Sequence, residues 1–265
     1  MRKKYFFFDI DRTLGLDISQ IIPADTVYCL NRLRQLGHSV AIATGRLQCD
    51  SFRTASRYGI TSLVSDGGNS LTIDNTLIEM NGLPIANCRA LLHELERRHL
   101  PWAVFTDNTM VRHTPYESFR HLGQSQLFQT DVTPVDIDSL TTIYKIVHVR
   151  PAAGDPPLDT YGLSRLPYIT NTYLVEPTDK GAGIRRFMEH AGAPLEDVVV
   201  FGDGLNDIAM FVSPFFRIAM GNARPQLKER ADYITDDNDK GGIFHACRRF
   251  GWINGRIPKK LAYEA

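Results

Sequence analysis

The sequence predicts an α/β protein with a parallel-sheet core that is interrupted by an inserted α+β unit. Three observations carry that reading. The opening strand, Tyr5-Phe6-Phe7-Phe8, is apolar on both faces, as expected inside a parallel sheet covered by helices. Strand and helix patterns alternate from the start to about residue 64, and again from residue 178. Between these stretches, strand patterns follow one another without intervening helices, which favours antiparallel pairing and a separate unit.

Taken in order, Val27, Leu30, Leu33 and Leu36 fall at helical spacing, Gly37 stops the helix, and "SVAIA" forms the next strand. A second helix is expected over residues 46–58, ended by Gly59, then a strand at "SLV" and a turn at "SDGGNS". The inserted unit opens with the helix "IANCRALLHELERRH". Strands near 102–106 and 109–113 follow, then "TTIYKIVHV", a Pro- and Gly-rich loop at "RPAAGDPPLDTYG", and the strand "NTYLVEP". The alternating pattern then resumes with a helix near 181–191, the strand "DVVVFG", a helix from Asn206, the strand "RIAM", and helical pieces at 225–230 and 242–250. The expected domains are 1–81 with 178–265 as the core, and 82–177 as the insertion.

Lys plus Arg and Asp plus Glu each number 30 in 265 residues, so no general field favours nucleic acid or an anionic membrane. Cys29, Cys49, Cys88 and Cys247 form no CxxC pair, which suggests neither zinc nor a disulfide framework. The four aromatics before Asp9 are too few for a signal peptide or a membrane span, and the cytoplasm is the default location.

Four segments place polar residues directly after apolar strands or at a helix start: "DID" at Asp9 and Asp11, "ATGR" with Thr44 and Gly45, Lys180 in "TDKGAG", and "GDGLND" with Asp203, Asn206 and Asp207. In open α/β sheets the carboxyl ends of strands share one cleft. Carboxylates gathered there repel one another unless a cation holds them. An oxygen-only set suits Mg²⁺ with a substrate phosphate better than zinc. Lys180 can neutralise phosphoryl oxygens, while Thr44, the amides near Gly45 and Asn206 can donate to them. One carboxylate can attack phosphorus, and the other can exchange a proton with the leaving group and water. Each segment alone has a bland reading as a solvated turn or a helix cap; their co-occurrence favours chemistry.

Together "DIDRTL", "ATGR", Lys180 and "GDGLNDIAM" resemble the four motifs of the haloacid dehalogenase superfamily of phosphohydrolases. The insertion between the second and third motifs resembles a class IIB cap, as in the Cof-type sugar phosphatases. The resemblance implies a Rossmann-like core with a substrate-selecting cap, Asp9 as nucleophile and Asp11 as general acid/base. It also implies phosphate binding by Thr44, Gly45, Lys180 and Asn206, and Mg²⁺ held by Asp9, the Asp11 backbone carbonyl, Asp203 and Asp207. The expected ligand is a small phosphorylated metabolite, sugar phosphates first and phosphorylated cofactors second, with no membrane or nucleic-acid partner. A phosphomutase and a non-catalytic metabolite-binding relative stay open as alternatives.

Two departures stand out. Arg12 follows the second aspartate where the family usually has glycine, and Asp66-Gly67-Gly68 replaces the family's frequent "NGA". Arg112, His113 and His121 in the insertion are candidate substrate contacts, and Arg46 is ambiguous. The basic clusters at 97–99 and at Lys259 and Lys260 read as solvated faces or tails.

Overall fold

A computed structural model of the chain describes residues 2–17, 21–123, 127–169 and 171–254. The Lys259–Lys260 pair lies outside them. The described residues form two compact units, the first drawn from Met1–Gly45, Ser51–Glu79 and Asp179–Ala265 and the second from Arg46–Asp50 and Met80–Thr178.

In chain order the first stretch holds β1 (Tyr5–Phe8), α1 (Ala24–Gln35), β2 (Ser39–Ala43), α2 (Gln48–Arg57), β3 (Ser62–Ser65), β4 (Ser70–Ile73) and β5 (Thr76–Met80). The middle holds α3 (Ile85–Arg97), β6 (Trp102–Phe105), β7 (Val111–Thr114), β8 (Gln129–Val132), β9 (Lys145–Val149), β10 (Arg165–Pro167) and β11 (Thr172–Val175). The return holds α4 (Lys180–His190), β12 (Val198–Gly202), β13 (Phe216–Ala219), α5 (Pro225–Lys228), β14 (Tyr233–Ile234) and α6 (Gly242–Arg249).

Both ends of the chain build one eight-stranded sheet in the order β14-β13-β12-β1-β2-β3-β4-β5. β1 is flanked in parallel by β12 and β2, which explains its wholly apolar sequence. Successive side chains of a strand point to opposite faces. Accordingly Tyr5 and Phe7 meet Phe187 of α4 on one face, with ring centroids 6.5 and 5.1 Å away, while Phe6 meets Trp252 at 5.0 Å on the other. Phe6, Phe7 and Phe8 are fully buried, each contributing about 2–3 kcal/mol of apolar transfer energy.

The middle segment forms a six-stranded sheet in the order β10-β11-β9-β6-β7-β8, antiparallel except for β7 with β8. One apolar cluster packs α3 residues Cys88, Leu91, Leu92 and Leu95 against Trp102, Val104, Ile146 and Val175. A second gathers Ala103, Phe105, Phe119 and Val147 with Leu47.

Several expectations need correction. The buried stripe of α1 is Thr26, Cys29, Leu30 and Leu33, and Leu36 is exposed because the helix ends there. The core sheet is parallel from β14 through β3, as expected, and β4 extends it antiparallel to β3. The segment at Asn206 is a short 3₁₀ helix, Leu205–Met210. Five strands, β4, β5, β8, β10 and β14, escape the sequence reading.

Candidate active site

The sheet order places β12, β1 and β2 side by side and in parallel, so the residues leaving their carboxyl ends emerge together. Asp203 follows β12, Asp9 follows β1 and Thr44 follows β2, all three buried. The turn after β1 closes on itself through Leu14 N donating to Asp9 O and Gly15 N to Ile10 O. The turn after β3 joins the same edge, with Gly67 N donating to Thr44 O at 3.1 Å.

Lys180 opens α4, positioned by Asp179, whose side chain caps that helix by accepting from Ala182 N. Its ammonium, 1 % exposed, donates to Asp9 Oδ1 and to Asp207 Oδ1, each at 2.6 Å. Asp207 also accepts at Oδ2 from the backbone amides of Asp203 and Gly204, both at 2.9 Å. Those two bonds fasten the residues that lead into the 3₁₀ turn, Gly204 being its N-cap, and fix the Asp207 carboxylate. Asp203 accepts from the Thr13 hydroxyl at 3.2 Å, and the Arg12 Nε lies 3.9 Å from its other oxygen. Carboxylate oxygens of Asp9, Asp203 and Asp207 all lie within 4.8 Å of one another.

The electrostatics follow from this crowding. Burial, with the Asp207 and Asp11 charges, pushes Asp9 well above the usual carboxylate range, against the pull of Lys180. Burial and Asp207 likewise push Asp203 up to about 6, opposed by Arg12, Thr13 and Lys180. For Lys180, burial alone would lower the pKa, but Asp207 and Asp9 override it and hold the ammonium above its ordinary value. Three buried carboxylates facing one buried lysine leave an excess of negative charge. An all-oxygen donor set in that state fits a hard divalent cation.

The structure therefore gathers Asp9, Asp203, Asp207 and Lys180 through direct contacts and sets Thr44 on the same sheet edge. Asp11 is half-buried and close enough to Asp9 to raise its pKa. Gly45 is half-buried, as is Asn206, whose Oδ1 sits so near Gly204 that a Cβ there would be 2.3 Å away. Arg46 donates to Asp50 at 3.0 Å. Arg112 is fully buried, with its guanidinium donating to the carbonyls of Phe119, Leu122 and Gly123 and to the Thr130 hydroxyl. That removes it as a substrate contact. His113 pairs with Asp131 at 3.2 Å and His121 is exposed. Sequence reasoning missed Thr13 and Asp179, and it noted Gly68 only as part of the Asp66-Gly67-Gly68 departure. Asp179 had a readable signal, an acid immediately before a helix.

Comparison with known proteins decides the family. The family model described as haloacid dehalogenase-like hydrolase matches residues 6–159 and 169–247. The chain belongs to the haloacid dehalogenase-like hydrolases. YkrA of Bacillus subtilis (strain 168), a phosphatase by name, is 30% identical over 261 residues, covering 96% of this chain and 100% of that protein. The phosphoglycolate phosphatase of Methanothermobacter thermautotrophicus is 25% identical over 246 residues, covering 92% of this chain and 97% of its own. Among solved structures, a protein from Geobacillus kaustophilus HTA426 superposes with a TM-score of 0.84 at 29% identity, over 95% of this chain and 100% of that one. A subclass IIB sugar phosphatase superposes at 0.75 with 24% identity, over 95% and 100%, a likeness of fold. This haloacid dehalogenase-like protein is a phosphatase of the Cof type, a phosphoryl-transfer enzyme. Among its described residues no helix is long and apolar enough to cross a membrane.

Proposed function

We propose that this phosphatase hydrolyses a small phosphorylated metabolite, a sugar phosphate by preference, with Mg²⁺ and through an aspartyl phosphate. The observation that carries the reading is the buried trio Asp9, Asp203 and Asp207 with Lys180 bridging two of its members. Asp9, Asp203 and Asp207, with the Asp11 backbone carbonyl, are the groups that would hold the cation. When bound it supplies charge neutralisation for the carboxylates and for the phosphoryl oxygens.

In this reading an Asp9 carboxylate oxygen attacks phosphorus and the bond from phosphorus to the substrate oxygen breaks. The Asp11 carboxyl gives that departing oxygen a proton. The resulting carboxylate then removes a proton from water, whose oxygen attacks phosphorus, frees Asp9 and releases inorganic phosphate. Lys180 holds Asp9 in place and neutralises charge on the transferring group, while Thr44, the Gly45 amide and Asn206 donate to its oxygens. Residues 82–177 act as the cap that selects the substrate, in the cytoplasm.

The test is phosphate release from a panel of sugar phosphates, phosphoglycolate and pyridoxal phosphate, with Mg²⁺ or with chelator, for the native enzyme and Asp9→Asn. Release that requires both Mg²⁺ and Asp9 is expected. Turnover that persists in Asp9→Asn, or with chelator, would sink the proposal.

A further inference from the structure

Arg12 occupies a position whose backbone does not suit it. Its φ is +61°, in the left-handed region where glycine sits without strain. The conformation is imposed from outside, because Asn222 Nδ2 donates to the Arg12 carbonyl at 2.9 Å and Thr13 N closes the turn onto Ile10 O. Nothing in the backbone calls for a long cationic side chain there. The charge itself needs an explanation.

Its surroundings supply one. Among the three clustered carboxylates, Asp207 is held by two amides and Lys180, and Asp9 by Lys180. Among the described residues Asp203 has only the Thr13 hydroxyl on Oδ1, and its Oδ2 faces the Arg12 Nε at 3.9 Å. That separation exceeds a hydrogen bond, and the Arg12 side chain is 53% exposed, so the contact is electrostatic and readily broken. Asp203 Oδ2 therefore has no hydrogen-bond donor among the described residues, only the Arg12 charge, and a cation has much to gain there.

We infer that Arg12 is a built-in counter-cation for Asp203, which competes with the divalent cation and sets the metal affinity of the site below what the carboxylates alone would give. The inference rests on the reading of Asp203 as a metal ligand. A dication arriving at Asp203 meets the guanidinium a few ångströms away and must either tolerate it or displace it into solvent. Being half-exposed, this repulsion is screened by salt. The consequence is an enzyme whose metal loading is weaker, and more dependent on ionic strength, than a glycine at position 12 would allow.

The test measures metal binding directly, with no turnover involved. Mn²⁺ is titrated into metal-free protein and the free aquo-ion is followed by electron paramagnetic resonance, at low and at high KCl, for the native chain, Arg12→Gln, Arg12→Lys and Asp203→Asn. Arg12→Gln is expected to bind Mn²⁺ about threefold to fivefold more tightly at low salt, with the gain shrinking at high salt. Arg12→Lys is expected to stay near the native affinity, and Asp203→Asn to lose most binding. If Asp203→Asn weakens binding while Arg12→Gln binds no more tightly than the native chain, the competition is refuted and the metal reading stands. If the native chain fails to bind Mn²⁺, or Asp203→Asn binds it as well as native, the metal reading falls and the inference with it. Circular dichroism of each variant separates a binding change from misfolding.

Discussion

The Lys180 ammonium lies 2.6 Å from the Asp9 carboxylate, with both side chains almost fully buried. Removing one partner of such a pair strands the other charge in a low-dielectric site. Lys180→Met is therefore expected to reduce the stability of the metal-free protein at pH 7 by about 3–5 kcal/mol, measured by urea unfolding. The loss should shrink at pH 5, where Asp9, which burial already pushes well above the usual carboxylate range, takes up its proton, and turnover should fall by about 10²- to 10³-fold. An equal loss of stability at both pH values would show that the ammonium acts through packing alone.

Gly68 has φ +109°, and a Cβ built on it would lie 2.1 Å from the Asp179 carbonyl oxygen. Backbone against backbone offers no flexible side chain to move aside. Gly68→Ala is expected to destabilise by about 2–4 kcal/mol and to lower kcat, because Asp179 caps the helix that begins with Lys180. Chemical denaturation with an unchanged m-value, together with steady-state kinetics, would check both.

His148 is fully buried on β9, where it donates from Nδ1 to the Val149 carbonyl at 2.8 Å and leaves Nε2 without a partner among the described residues. Burial, helped by Arg165 and opposed by the Val149 bond, lowers its pKa to about 4. The unfolded chain titrates near 6.5 and so binds the proton first as pH falls. Stability is then complete above about pH 6.5 and declines through the window down to about pH 4, by an amount on the order of 3 kcal/mol. The stability difference between the native chain and His148→Phe should change across that window and stay flat above it. A difference that is constant from pH 7 to pH 4 would contradict the assignment.

Arg112 holds together the turn after Phe119 by donating to three carbonyls. Arg112→Met is expected to cost about 3 kcal/mol, since it leaves those acceptors without their donor. Arg112→Lys should recover little, because a single ammonium cannot reproduce the planar fork. Thermal unfolding and limited proteolysis near residues 117–123 would detect the loosened turn. Full rescue by lysine would mean that charge alone matters.

Much of the core was legible in the sequence because its signals are strong and local. Tyr5 to Phe8 is apolar on both faces because β1 has parallel neighbours on each side, and the acids after it mark the strand's end. The same reasoning found β2, β3 and β12 and the polar residues that follow them. The missed strands lack that signal. β14 has two residues, and the first three residues of β5 are exposed, so no hydrophobic period could announce them. Arg112 misled for a different reason. A charged residue on a short strand reads as exposed, and only the carbonyls of a neighbouring turn made its burial tolerable.

By itself the sequence determined the α/β alternation, the strand-rich middle segment and the candidate polar residues at the strand ends, because periodicity and strand ends are properties of neighbouring positions. The tertiary structure decided which of those residues meet. Lys180 reaches Asp9 across 171 positions and Thr13 reaches Asp203 across 190, contacts set by strand order and by the Asp179 cap. It also decided the charge balance, since how far a carboxylate's pKa rises depends on the burial and the neighbouring charges that only the folded sheet edge supplies.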